Sequence, residues 1–260
     1  MTNYQMYIDG GFCDASDGGR FDSINPATGK VWATAPAATE TDVDRAVTAA
    51  RRAMDEGEWS EMTATGRGRL LFELADLMAE NSEHLGSIET TDSGKLAVET
   101  RGQSAYVAEY YRYYAGLADK IQGSTLPMDK PDMHVFTTRE PIGVVAGIVP
   151  WNAEMLLTAT KAAPALAAGN AVVIKSSEDA PAPVLEFAKL VDRVGFPDGV
   201  FNLITGFGEP CGRALTSHPL VSRVAFTGGV DAARKVVANT AGNFAHLSLE
   251  LGGKSPILVF

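Results

Sequence analysis

The chain has 260 residues, enough for one large domain or two smaller ones. Its net charge of −10 at pH 7 disfavours a nucleic-acid partner, because binding to phosphates requires a basic surface. No apolar stretch is long enough to cross a membrane, so no membrane partner is expected. Cys13 and Cys211 match no metal or redox spacing, and the N-terminus carries no targeting signal. The expected location is therefore the reducing cytoplasm.

The first 121 residues predict short strands and turns that lead into helices. Turn-rich sequence separates short alternating runs before Ala38, and a helix begins near Thr39. A second helix has one apolar face, formed by Leu70, Leu71, Leu74, Leu77 and Met78. A third, from about Glu99 to Ile121, carries a stripe of Tyr106, Tyr110, Tyr113 and Leu117, for which packing in the core is favoured over a ligand site.

Residues 122–140 lose the helical period and predict an extended ribbon whose edges need a partner. Residues 141–252 then alternate short apolar runs with helical patterns, which indicates βαβ units and a parallel sheet covered on both faces. The predicted fold class is a doubly wound, Rossmann-like α/β sheet. Its predicted strands and helices are 142–149, 155–168, 171–175, 181–194, 200–205, 208–217, 221–227 and 230–241.

Polar and glycine residues follow each predicted strand, at the sheet edge where open α/β folds bind ligands. Lys175 and Glu178 are suited to binding the hydroxyls of a ribose. The alternative is an ordinary solvated ion pair, which is common between residues three apart. The run Gly206–Gly212 has the pattern G-x-G-x-x-x-G, which is one residue longer than the dinucleotide-binding fingerprint. By itself it is weak evidence for dinucleotide binding. Gly228 and Gly229 open a helix whose free N–H groups suit a pyrophosphate.

The stretch 247–256 places Glu250 between leucines and next to a Gly-Gly pair. Two interpretations are open for this carboxylate: a general acid or base in apolar surroundings, or a solvent-facing residue whose neighbouring leucines face the core. The apolar run Ile257–Phe260 predicts a strand. Residues 253–260 are therefore expected to begin a second domain, and the chain is expected to be incomplete.

Three other kinds of site receive little support. Gly253-Lys254-Ser255 lacks the first glycine of a P-loop and is followed by Pro256 and an apolar strand pattern instead of a helix. The four histidines are scattered, and neither G-x-S-x-G nor H-E-x-x-H occurs. A serine hydrolase or zinc site is therefore disfavoured, and no metal is expected.

With these motifs in place, the chain resembles the N-terminal, cofactor-binding half of an NAD(P)-dependent aldehyde dehydrogenase, from about Tyr4 to Phe260. The segments that carry the resemblance, in chain order, are Glu140–Val144, Pro150–Asn152, Gly169–Lys175, Gly195–Asn202, Phe226–Gly228 and Leu249–Pro256.

The resemblance implies oxidation of an aldehyde to a carboxylic acid through a cysteine thioester. It gives Asn152 the role of hydrogen-bond donor to the oxyanion, Glu250 that of general base and Lys161 a part in proton movement, with an exposed helical lysine as the alternative for Lys161. It implies NAD as cofactor, with NADP possible, and a homodimer or homotetramer formed through the ribbon at 122–140. The implied cofactor-binding residues are Pro150, Trp151, Lys175, Ser177, Glu178, Gly208, Phe226, Thr227, Gly228, Gly229, Leu251 and Gly252.

The sequence departs from the family pattern at three places. Gly229 replaces a serine that would contact phosphate, which predicts weaker cofactor binding. Ala153-Glu154 replaces an aromatic-Pro pair, which predicts an added negative charge at the substrate entrance. Ser176 replaces the common proline after the family's ribose-binding lysine.

The family's nucleophilic cysteine lies beyond the position of Glu250, and neither Cys13 nor Cys211 occupies its motif position. The chain alone is therefore expected to bind NAD without oxidising aldehydes. Two alternatives are a non-catalytic nucleotide-binding or assembly protein of this natural length, and a semialdehyde dehydrogenase that releases its product to coenzyme A. The presence of Glu250 argues for hydrolysis over the coenzyme A route.

Overall fold

A computed structural model describes residues 1–260 as an α/β fold with a central, mostly parallel sheet. The strands, in chain order, are β1 (Thr2–Asn3), β2 (Met6–Ile8), β3 (Gly11–Cys13), β4 (Arg20–Asn25), β5 (Lys30–Pro36), β6 (Thr125–Leu126), β7 (Val135–Phe136), β8 (Val144–Ile148), β9 (Ala171–Lys175), β10 (Phe201–Ile204), β11 (Val221–Gly228) and β12 (His246–Leu251).

Helices lie between β5 and β6 and in every connection from β8 to β12. They are α1 (Glu40–Asp55), α2 (Glu58–Glu61), α3 (Ala64–Glu80), α4 (Ser82–Ser93), α5 (Ala97–Leu117), α6 (Glu154–Ala167), α7 (Ala182–Val194), α8 (Arg213–Ser217) and α9 (Val230–Asn239). None of them is long and apolar enough to cross a membrane.

The central sheet has the order β12-β11-β8-β9-β10-β2-β3. The strands from β12 to β10 are parallel, whereas β2 and β3 extend the sheet in antiparallel pairs. The chain runs outward from β8 to β10 and then returns to the other side of β8 as β11. The strand order therefore reverses between β8 and β11, which is where doubly wound folds bind ligands. The predicted fold class is confirmed.

Two hydrophobic cores cover the two faces of this sheet. One packs Val145, Val172 and Ile174 against α3, α5, α6 and α7. The other packs Val144 and Val173 against α1, α8 and α9. Because side chains alternate along a strand, residues next to each other in β8 and β9 point into opposite cores.

The structure differs from the prediction at three elements. The stretch 208–217 is not one helix, because Glu209 has extended backbone; a π-type turn over Gly208–Gly212 precedes α8. The run Ile257–Phe260 is exposed and forms no strand, since no neighbouring strand pairs with it. Helix α4 has few apolar residues at helical spacing and was not predicted.

Of the predicted stripe on α5, only Tyr110 packs against the core, where it is partly buried. Tyr106 and Tyr113 are exposed, and the buried face of α5 consists of small residues together with Tyr111. Small side chains allow α3 and α4 to approach α5 closely, which leaves the larger tyrosines outside. The ribbon at 122–140 contains only the short β6–β7 pair. Its role in oligomerisation stays a prediction, as do the domain limits.

Candidate active site

A groove of about 500 Å³ lies at the carboxyl ends of β8, β9 and β11. Ten of the predicted cofactor-binding residues line it: Pro150, Trp151, Lys175, Ser177, Glu178, Gly208, Phe226, Thr227, Gly228 and Gly229. They come from four separate stretches of the sequence. The fold brings them together because each stretch follows a parallel strand or ends one.

The end of β9 supplies an ion pair to this groove. Lys175 is buried, and its Nζ donates to Glu178 Oε2 at 3.1 Å and to the Ser176 carbonyl oxygen at 3.0 Å. Glu178 is half-buried. The pair thus fixes a carboxylate at the groove wall, where it can accept hydrogen bonds from hydroxyl groups.

The end of β11 supplies two glycines with different surroundings. A Cβ on Gly228 would lie 2.6 Å from the Phe226 ring, so a side chain cannot be added there without movement. Gly229 precedes α9, has open space around it and gives the helix no side-chain cap. The N–H groups in the first turn of α9 therefore remain free to bind an anion.

Several groove residues were not predicted from sequence. One stripe of α9 lines the groove with Ala232, Lys235, Val236 and Asn239. The lining also includes Arg213 and Thr216 of α8 and Glu209, which precedes that helix. Asn239 Nδ2 donates to Thr216 Oγ1 at 2.9 Å and so connects the two helices. The helical spacing counted from Gly229 was the signal that could have identified the α9 stripe.

A second cavity, of about 510 Å³, contains two of the predicted catalytic side chains, Lys161 and Glu250. It shares Phe226 and Thr227 with the cofactor groove. Lys161 Nζ donates to Thr227 Oγ1 at 2.8 Å, and Thr227 is paired with Glu250 across β11 and β12. Arg223 and Ser248 also line this cavity and are hydrogen-bonded to each other; neither was predicted.

Lys161 is buried on α6, and this excludes the exposed-lysine alternative. Burial lowers the pKa of Lys161 to about 8, and the nearby Glu250 carboxylate opposes that change. Glu250 itself is exposed, as the solvent-facing interpretation requires, while Leu247 and Leu249 pack against the core. The carboxylate thus faces an open cavity and not an apolar pocket.

Asn152, Leu251 and Gly252 lie outside the two cavities. Asn152 is exposed in the turn between β8 and α6, directly after the groove residue Trp151. Leu251 ends β12, and Gly252 follows it; both are exposed. Their functional roles stay predictions.

The expected negative charge at the substrate entrance is absent, because Glu154 is fully buried. Its carboxylate turns inward and accepts hydrogen bonds from the segment after β9. Burial raises the pKa of Glu154 well above its usual range, while the bonds from Ser177 and Ser176 oppose the increase. Sequence reasoning missed this contact because its partners lie more than twenty residues away.

Comparison with known proteins places these features in one family. A family model described as the aldehyde dehydrogenase family matches residues 12–260. The chain belongs to the aldehyde dehydrogenase family. It is 58% identical, over its whole length, to (Z)-2-((N-methylformamido)methylene)-5-hydroxybutyrolactone dehydrogenase of Acinetobacter baylyi, of which it covers 53%. It is 45% identical to aldehyde dehydrogenase family 2 member C4 of Arabidopsis thaliana, with 98% of this chain and 52% of that protein covered.

Solved aldehyde dehydrogenase structures share this fold. An aldehyde dehydrogenase from Bacillus cereus in complex with NAD+ has a TM-score of 0.95 and 41% identity, with 98% of this chain and 52% of that chain covered. Betaine aldehyde dehydrogenase from Staphylococcus aureus, a point mutant also in complex with NAD+, has a TM-score of 0.94 and 39% identity, with 96% and 50% covered. This member of the family therefore spans about half the length of the relatives it matches.

Proposed function

We propose that this chain is the cofactor-binding part of a longer enzyme that oxidises an aldehyde to a carboxylic acid with NAD. The observation that carries the proposal is the convergence of ten predicted cofactor residues on one groove at the strand-order reversal. Family membership and the NAD+ complexes of two structural neighbours support it.

The groove fits a dinucleotide at both of its ends. The uncapped first turn of α9, beside Gly228 and Gly229, offers N–H donors and a partial positive charge to the pyrophosphate. At the end of β9, Lys175 and Glu178 would bind the hydroxyls of the adenosine ribose. Because the Glu178 carboxylate repels a 2′-phosphate, the groove favours NAD over NADP.

Lys175, Glu178 and the first turn of α9 would hold NAD in the groove, and bound NAD would supply a hydride acceptor for the oxidation. Asn152 then acts as a donor: its side-chain N–H stabilises the negative charge that develops on the substrate oxygen. Glu250 acts as general base toward the water that releases the product. Lys161, held by Thr227 beside Glu250, moves the proton away through its ammonium group, whose lowered pKa of about 8 suits exchange near neutral pH.

We also propose that the 260-residue chain alone does not oxidise aldehydes. Cys13 lies on β3 beside Arg45 and lines neither cavity. Cys211 is buried, and burial raises its pKa to about 12, so it remains a thiol at neutral pH. Neither cysteine provides a nucleophile at the groove. We further propose that the longer protein assembles as a cytoplasmic homodimer or homotetramer through residues 122–140.

The test compares the purified chain with the complete gene product. We expect both to bind NAD in calorimetry, and only the longer protein to form NADH when given an aldehyde. The aldehyde panel should include the hydroxybutyrolactone for which the Acinetobacter relative is named. NADH formation by the short chain overturns its proposed inactivity. A complete protein that binds NAD but oxidises nothing in the panel favours the non-catalytic nucleotide-binding alternative.

A further inference from the structure

Glu154 connects two segments that carry groove residues. It is the first residue of α6, and its carboxylate is fully buried. Its Oε1 accepts the backbone N–H of Ser177 at 2.9 Å, and its Oε2 accepts the hydroxyl of Ser176 at 3.0 Å. We call these two hydrogen bonds the Glu154 bridge. The bridge joins the start of α6 to the segment after β9.

Each end of the bridge lies next to residues of the proposed site. On the α6 side, Trp151 and Asn152 come two or three residues before Glu154, and Ala153 provides no side-chain cap. On the β9 side, the Ser176 carbonyl accepts from Lys175 Nζ at 3.0 Å, and Lys175 also holds Glu178. A shift of residues 176–177 would therefore move the carboxylate that faces the ribose.

The chemistry of the bridge fits a positioning role. Burying a carboxylate is costly unless its oxygens are hydrogen-bonded, and here both oxygens have a donor. The helix N-terminus and the nearby Lys175 favour the ionised form, whereas burial and Asp92 oppose it. In the neutral form, one oxygen still accepts from Ser177 and the other can donate to Ser176, so the bridge persists in both protonation states.

We propose that Glu154 is a positioning residue that fixes residues 175–178 against the turn of Trp151 and Asn152, and thereby determines how strongly the groove distinguishes NAD from NADP. This inference rests on the proposed cofactor role of the groove. The positioning role requires a polar side chain at residue 154, because an apolar side chain would leave the Ser177 N–H without a hydrogen-bond acceptor.

The test measures the NAD and NADP affinities of wild type, Glu154→Ala, Glu154→Gln and Ser176→Ala by calorimetry. Glu154→Ala should weaken NAD binding about tenfold and leave NADP binding nearly unchanged, because Glu178 loses its fixed position. Glu154→Gln should restore most of the preference, since its amide can accept from Ser177 and donate to Ser176. Ser176→Ala removes one of the two hydrogen bonds, so its preference for NAD over NADP should lie between those of wild type and Glu154→Ala.

Glu89→Gln is the matched control, because Glu89 is also a fully buried carboxylate but lies on α4, away from the groove. It should leave the ratio of NADP to NAD dissociation constants unchanged, even where it lowers the melting temperature. An unchanged ratio in Glu154→Ala, or the same change in Glu89→Gln, overturns the proposal. If Glu154→Ala does not fold, Glu154→Gln and Ser176→Ala carry the test.

Hydrogen exchange of the free chain tests the bridge without cofactor. Glu154→Ala should increase exchange in peptides covering 149–157 and 175–180 together, whereas Glu154→Gln should not. Unchanged protection in either peptide overturns the bridge. A wild-type chain that binds neither dinucleotide overturns the proposed function and the selectivity role with it, while the exchange result still decides whether Glu154 holds the two segments.

Discussion

Lys161 Nζ donates a hydrogen bond to Thr227 Oγ1 at 2.8 Å, and the pairing of β11 with β12 places Thr227 beside Glu250. The ammonium group is thus held at the wall between the cofactor groove and the second cavity. Burial of this ammonium group lowers the free energy of unfolding, because a charged lysine loses solvation on folding.

Lys161→Met should make the chain more stable at pH 7, by about 1–3 kcal/mol. The pKa of Lys161 falls from its ordinary 10.5 to about 8 in the folded chain, so the folding penalty is fully present below pH 8. It disappears as the pH rises from about 8 toward 10.5. Urea unfolding of both proteins at pH 7 and pH 10 measures the gain, which should shrink at the higher pH. An equal gain at both pH values contradicts the burial argument.

Gly229→Ser should stabilise α9 and strengthen NAD binding. Gly229 has open space around it and no side-chain cap, so a serine hydroxyl can bond the first-turn N–H groups or a phosphate. The gain in the free energy of unfolding should be a few tenths of a kcal/mol, as for other glycine-to-serine caps. Thermal unfolding and calorimetry check the two effects separately. Gly228→Ser serves as a contrast, since its Cβ would collide with Phe226 and should destabilise the chain.

Glu178→Gln should lower the preference for NAD over NADP by about tenfold, because it removes the charge that repels a 2′-phosphate. The amide can still form hydrogen bonds with ribose hydroxyls, so NAD binding should weaken only slightly. Titrations with both dinucleotides give the ratio. Asp231→Asn, also at the groove but exposed at the start of α9, is the control for a general change in charge.

Asn152→Ala in the complete protein should lower kcat about 10²–10³-fold, the usual effect of losing one oxyanion donor. NAD affinity should stay the same, because Asn152 lies outside the groove lining. Steady-state kinetics and NAD titration on the same preparation separate the two quantities. A loss of NAD affinity that accounts for the whole decrease would assign Asn152 to cofactor binding instead.

The sequence was most informative about the parallel strands and the residues at their ends. Apolar runs such as Ala171–Lys175 are continuous because both faces are buried, and the residues that follow them must meet at one sheet edge. This logic identified Lys175, Glu178 and Gly228 as neighbours of a groove although they are distant in sequence.

Features that depend on distant partners were not predictable in the same way. Glu154 finds its partners on a neighbouring strand end, and nothing local indicates that its carboxylate turns inward. The stripe of Tyr106 and Tyr113 has the helical period of a core face, yet the small residues around Tyr111 provide the closer packing surface. Likewise, β2 joins the central sheet through β10, nearly two hundred residues away.

The two cores on opposite faces of the sheet also bear on how the groove should behave on heating. One groove wall comes from α8 and α9 on one face, and the segment after β8 continues into α6 on the other. Only the chain with both cores intact can offer both walls, so dinucleotide binding and global folding are linked equilibria. The unfolding temperature should consequently rise with the logarithm of the NAD concentration once that concentration exceeds the dissociation constant. A series of melting temperatures measured at increasing NAD concentration would therefore give the dissociation constant.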